Sequence, residues 1–144
     1  MKNFALAAIL FALASTAAAQ VVPSSYTPLS NCSFFDSAIP GGSTAYLTAR
    51  GHCNVPQAAN AVAVVVAAID PLAAGQAKLL ESSLPVSTAN PGLYWKAGTG
   101  ATSGFLIVRL CYPAEECGGG DLALYVSAST RFVVQITGYF QPLP

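Results

Sequence analysis

Charge is scarce in this chain. Asp, Glu, Lys and Arg make up 8% of the 144 residues, and His52 is the one histidine. Without clustered Lys and Arg nothing can neutralise a phosphate backbone, so nucleic acid is a poor partner. The cysteines show no C-x-x-C spacing and have no histidine cluster beside them, which argues against zinc. A hydrolase needs a nucleophile, a base and an orienting group, yet the one base candidate, His52, sits beside Cys53 in a turn-like stretch. A glycosidase needs two positioned carboxylates, and the acids here are scattered. Asp36, Asp70 and Asp121 fall at the ends of apolar runs, where Asp commonly serves turns. The chain therefore reads as a protein without enzymatic activity, metal or cofactor. It also lacks a long amphipathic helical stripe and any internal repeat of 20–50 residues.

What is present begins with a secretory signal. Lys2 supplies a positive start, Phe4 to Leu13 an apolar stretch, and residues 15–19 the small side chains that signal peptidase accepts. Residues 1–19 are expected to be removed. The apolar run is well short of the roughly 20 residues of a spanning helix, so no membrane span is expected after cleavage. The mature chain, 20–144, then carries five basic residues (Arg50, Lys78, Lys96, Arg109, Arg131) against six acidic ones, a balance of minus one. It is long enough for one domain with a real core. Export points to a secreted, extracellular or periplasmic location.

Four cysteines remain, and in an oxidising compartment an even count reads as disulfides. Three pairings are open. The favoured one joins Cys32 to Cys53 and Cys111 to Cys117. The second pair encloses a five-residue loop tip; the first closes a loop of about 20 residues, worth roughly 3 kcal/mol through chain entropy. Glu115 and Glu116 lie inside the small loop and read as a solvated tip, with calcium binding as the alternative.

Residues 20–30, with Pro23 and Pro28, form an extended leader or an edge strand. Short apolar runs follow, each bounded by Gly, Pro, Ser or Asn: 31–36, 43–48, 57–69, 76–84, 92–98, 104–112, 121–127 and 131–140. The longest carries Val62, Val64, Val65 and Val66. These β-branched side chains lose rotamer freedom in a helix and pack well on a sheet. We read Ala61 to Ile69 as a central strand buried on both faces or nearly so, where a charge at Val65 should abolish folding. The turn at Asp70-Pro71 predicts a hairpin with 76–84. Seven to nine such strands predict an all-β, antiparallel β-sandwich over 31–140, with 141–144 as a tail.

Five segments together resemble a β-sandwich domain of secreted bacterial proteins. They are Cys32 to Asp36, Gly51-His-Cys-Asn-Val-Pro56, Ala61 to Pro71, Leu93 to Gly98, and Phe132 to Phe140 with its Gly138-Tyr-Phe140 ending. The resemblance implies an extracellular, non-catalytic, structural or adhesive module. Two features depart from it. The Arg expected shortly after Asp36 is missing, and Gln135 replaces an Asp; if those charges pair in the typical domain, the pair is lost here.

The aromatics carry the binding hypothesis. Tyr94, Trp95, Tyr112, Tyr125 and Tyr139 fill a core or form a platform for sugar or protein. Tyr94 and Trp95 are adjacent, so in a strand they face opposite sides; with Tyr112 they are the candidate binding residues. Two functions follow. One is a structural or adhesive surface module that meets protein partners or its own copies. The other is a carbohydrate-binding module.

Overall fold

The Gly- and Pro-punctuated apolar runs fold as strands. The computed structural model describes residues 24–112 and 117–143. The expected signal, 1–19, lies outside the described residues, as do Glu115 and Glu116. Eight strands form in order: β1 (Ser24–Ile39), β2 (Ser43–Leu47), β3 (Ala61–Ile69), β4 (Gly75–Glu81), β5 (Leu93–Trp95), β6 (Ala101–Arg109), β7 (Leu122–Val126) and β8 (Thr130–Pro142). They make two four-stranded sheets, sheet A in the order β1-β8-β3-β6 and sheet B in the order β2-β7-β4-β5. Every pairing is antiparallel. The fold is an antiparallel β-sandwich stapled by two disulfides, Cys32–Cys53 and Cys111–Cys117. No helix among the described residues is long and apolar enough to cross a membrane.

β3 is an interior strand, flanked by β8 and β6. Val62, Val64, Val66 and Ala68 point into the core and are closed to solvent. They meet Phe132, Val134 and Ile136 of the neighbouring β8. Leu122, Leu124 and Val126 of β7 close the core from sheet B. The alternate residues of β3 lie on the outer face: Ala61, Val65, Ala67 and Ile69 are half-buried, and only Ala63 is closed off. The core position is therefore Val64, and the expectation that a charge at Val65 abolishes folding is corrected.

The expected hairpin of 61–69 with 76–84 does not form. Both edges of β3 are taken, by β8 and β6, which leaves none for β4. Asp70, at φ 46°, and the buried Pro71 instead carry the chain across to sheet B. Residues 24–30 are the first half of β1, an edge strand, with Ser24 opposite Pro142. The same pairing keeps Gln141 and Pro142 inside β8. β6 begins at Ala101, three residues before the run 104–112, because Ala101 to Ser103 find partners in Ile69 to Ala67.

The bend where β8 meets both neighbours explains the Gly138-Tyr-Phe140 ending. Register shifts fall between Ala63 and Val64 and between Pro28 and Cys32, both opposite residues 136–138. Tyr26 lies across this spot. A Cβ on Gly138 would meet its ring, so any other residue there must displace Tyr26 from the face.

Candidate functional site: the outer face of sheet A

The two outer faces of the sandwich differ in chemistry. On sheet B the outward positions include Thr44, Tyr46, Tyr125, Gln76, Lys78 and Tyr94, a mixed and partly polar set. On sheet A the outward positions of β3 and β6 are mostly apolar, while β8 and β1 add Gln135, Ser33 and Asp36. β3 supplies Ala61, Ala63, Val65, Ala67 and Ile69. β6 sets Ala101, Ser103, Phe105, Ile107 and Arg109 beside them. β8 sets Arg131, Val133, Gln135, Gly138 and Phe140 on the other side. Tyr26 of β1 closes the row, its ring 5.0 Å from that of Phe140. Phe105 and Ile107 are each 59% exposed on β6, the edge strand of this surface. With strands about 4.8 Å apart and about 3.3 Å per residue, the face measures roughly 14 by 27 Å, or about 400 Å².

Charges stand only at its two ends. At one end Arg131 donates from Nε and Nη2 to the two carboxylate oxygens of Asp36, each at 2.7 Å. These hydrogen bonds hold the Asp36 carboxyl below its usual value of 3.8, and they raise the Arg131 guanidinium above its own. Asp70 lies near Arg131 and adds to that rise. A depression of about 520 Å³, lined by Ile69, Asp70, Leu72 and Arg131 among others, opens here. At the other end Arg109 bridges to Glu81 at 3.2 Å while its side chain stays 59% exposed. A second depression, about 650 Å³, is lined there by Ile107, Arg109, Tyr112 and Phe140 among others. Asp36 thus has an Arg partner, on β8, although the Arg expected close after it in sequence is missing.

The candidate binding residues are scattered. Trp95 is 4% exposed. Its indole N–H donates to the Ala73 carbonyl at 2.9 Å, and its ring stands edge-on to Phe132 at 5.4 Å. Its place on the binding surface is corrected: the alternation of β5 turns Trp95 inward and leaves Tyr94, 63% exposed, outside. Tyr94 lies on sheet B, while Tyr112 lies at the Arg109 end of sheet A. They cannot form one platform. Tyr125 is half-buried on sheet B, and Tyr139 packs against the core. His52 is exposed in the turn that Cys53 clamps to β1.

Two features escaped the sequence. The first is a buried ion pair. Arg50 Nη1 lies 2.5 Å from Asp121 Oδ1, and the same guanidinium donates to the carbonyls of Ala59 and Cys111. Asp121 Oδ2 accepts the backbone N–H groups of Ala49 and Arg50. Asp121 is thus an interior anchor for three chain segments, not a turn residue, and nothing in its local sequence marks this. The second is the outer face itself. Its signal was the missing alternation in β3 and β6, where outward Val65, Phe105 and Ile107 look like inward Val64, Leu106 and Val108.

Among the described residues no group of three or more His, Cys, Asp or Glu side chains is placed to hold a metal. No protein-family model matches the chain, and no curated protein matches it. Among solved structures the chain is similar to the coat protein of Tobacco streak virus, seen as a dimer. The identity is 14% over 85% of this chain and 87% of that one, with a TM-score of 0.33, too low to carry an argument about function.

Proposed function

We propose that this chain is a secreted, non-catalytic structural or adhesive module that works through the outer face of sheet A. The observation that carries the reading is the run Ala67, Val65, Phe105 and Ile107, apolar between charged ends, half-buried on β3 and exposed on β6. A patch of about 400 Å² falls within the range of the largest apolar patch on an ordinary monomer, and such patches are often functional. Two disulfides support an oxidising destination, and the resemblance to secreted bacterial sandwich domains points the same way. Even if the whole face of about 400 Å² counted as apolar, burial at about 25 cal/mol/Å² would give at most roughly 10 kcal/mol, which the association cost of about 4–15 kcal/mol largely offsets. One copy of the face therefore binds weakly, and a protein partner at the cell surface must add contacts at the charged rim.

Binding of the purified chain to the surface of the cells that secrete it tests this. Val65→Lys should fold and lose most of that binding; unchanged binding contradicts the proposal. A second reading, a carbohydrate-binding module, rests on Tyr94, open on sheet B beside Gln76. A glycan array separates the two: sugar binding that falls with Tyr94→Ala favours the second, and a blank array removes it.

A further inference from the structure

A sandwich of two four-stranded sheets has four edge strands, and three of them here carry a device against edge pairing. β1 is broken by two register shifts, contains Pro28, and is tied down through Cys32. β2 has five residues and β5 three, too short to template a partner. β6 has none of these. It runs nine residues in unbroken register with β3, without Pro, Lys, Asp or Glu.

The direction of its backbone groups can be read from its ends. The Leu110 N–H donates to the Asn60 carbonyl at 2.9 Å, and the Gly100 carbonyl accepts the Asp70 N–H. Even-numbered residues therefore turn their backbone toward β3. By the alternation of an antiparallel ladder, Ala101, Ser103, Phe105 and Ile107 turn N–H and C=O to the other edge. No described strand or side chain bonds them there. The same residues place their side chains on the outer face.

We propose that β6 pairs antiparallel with β6 of a second copy, across a two-fold axis at Phe105. This rests on the outer face of sheet A being the working surface and names one partner for it. Phe105 is the centre of the strand, so this register pairs the most residues. Phe105 stands opposite Phe105, Ser103 opposite Ile107, and Ala101 opposite Arg109, an aromatic cross-strand pair with apolar flanks. The charges agree with it. Arg109 is the only charge on β6, and Asp70 sits exposed at the other end of the β3–β6 pair. The two-fold brings each Arg109, which bridges Glu81 within its own copy, to the Asp70 end of its partner. The product is one continuous eight-stranded sheet. Its outer face measures roughly 34 by 27 Å at the same strand spacing, about 900 Å². That passes the roughly 800 Å² per side of a standard protein interface, which a single copy does not reach.

Sedimentation of the full secreted chain over a wide concentration range tests the pairing. The expected result is a monomer–dimer equilibrium whose affinity falls with salt, less steeply in Asp70→Asn. Ile107→Pro removes an outward N–H without touching the β3 ladder and should weaken the dimer more than tenfold. Phe105→Lys sets two like charges at the axis and should do the same if the proline variant fails to fold. Ala67→Lys, on the same face but off the edge, should leave the dimer intact. A chain that stays monomeric at every concentration overturns the pairing. So does a dimer that survives Ile107→Pro and Phe105→Lys but is lost in Ala67→Lys. Surface binding measured on the same samples separates the two claims. A monomer that binds cells through Ala67 refutes the β6 pair alone. A β6 dimer whose cell binding ignores Ala67→Lys keeps the pair and removes the adhesive reading.

Discussion

At the scale of single residues, the chain spends its few charges on fixed tasks. Arg50 and Asp121 are both nearly closed to solvent and saturate each other and four backbone groups between them. Removing one partner strands the other, so Asp121→Ala should cost about 3–5 kcal/mol in chemical denaturation. Replacing both by apolar residues should cost less than the sum of the single changes. The Asp36–Arg131 pair is exposed, and its effect depends on pH. Because folding lowers the Asp36 value, its stabilisation is present above the unfolded value of 3.8 and fades as pH falls through the lower folded one. The coupling in a cycle of Asp36→Asn with Arg131→Gln should therefore be seen at neutral pH, vanish in strong acid and shrink with salt. A coupling unchanged in acid would contradict the pairing. Trp95 makes a different case. Its ring fills the space beside Gly75, where an added Cβ would lie 2.4 Å from Cζ2. Gly75→Ala should cost about 1–3 kcal/mol by overpacking, read as a lowered Tm.

At the scale of elements, the strands were largely legible and their partners were not. Short apolar runs between turn residues located β2, β3, β4, β5, β7 and β8 to within a few residues, because side-chain and turn preferences act locally. The link from β3 to β4 was misread because turn chemistry at Asp70-Pro71 says where a strand stops, not which sheet the next one joins. That depends on β3 having both edges filled by strands distant in sequence. Two-faced apolarity likewise hid which of Val64 and Val65 lies inside, since a strand without alternation gives no register signal. The structure makes this testable. Val64→Asp buries an unpaired charge and should prevent folding, whereas Val65→Lys should leave the circular dichroism and Tm close to those of the parent. Equal damage from both would mean that the outer face is covered.

At the scale of the whole molecule, the disulfides and the apolar face form one physical account. The Cys32–Cys53 bridge spans 21 positions and Cys111–Cys117 spans 6, worth roughly 3 and 2 kcal/mol by chain entropy. Both lie near the Arg50–Asp121 anchor, whose partners Ala49 and Cys111 adjoin the two bridged loops. The sandwich is thus pinned at one end, while its outer sheet A face stays open along its length. The candidate site was the least legible part, because an exposed apolar face and a buried core have the same composition. Only the packing of sheet B on one side of β3 and β6, and of nothing described on the other, tells them apart. The most direct measurement places one lysine on each outer face, Ala67→Lys on sheet A and Thr44→Lys on sheet B, and compares cell-surface binding at matched Tm. The account predicts that Ala67→Lys abolishes binding and Thr44→Lys leaves it intact; equal binding by the two variants, or loss only with Thr44→Lys, would contradict it.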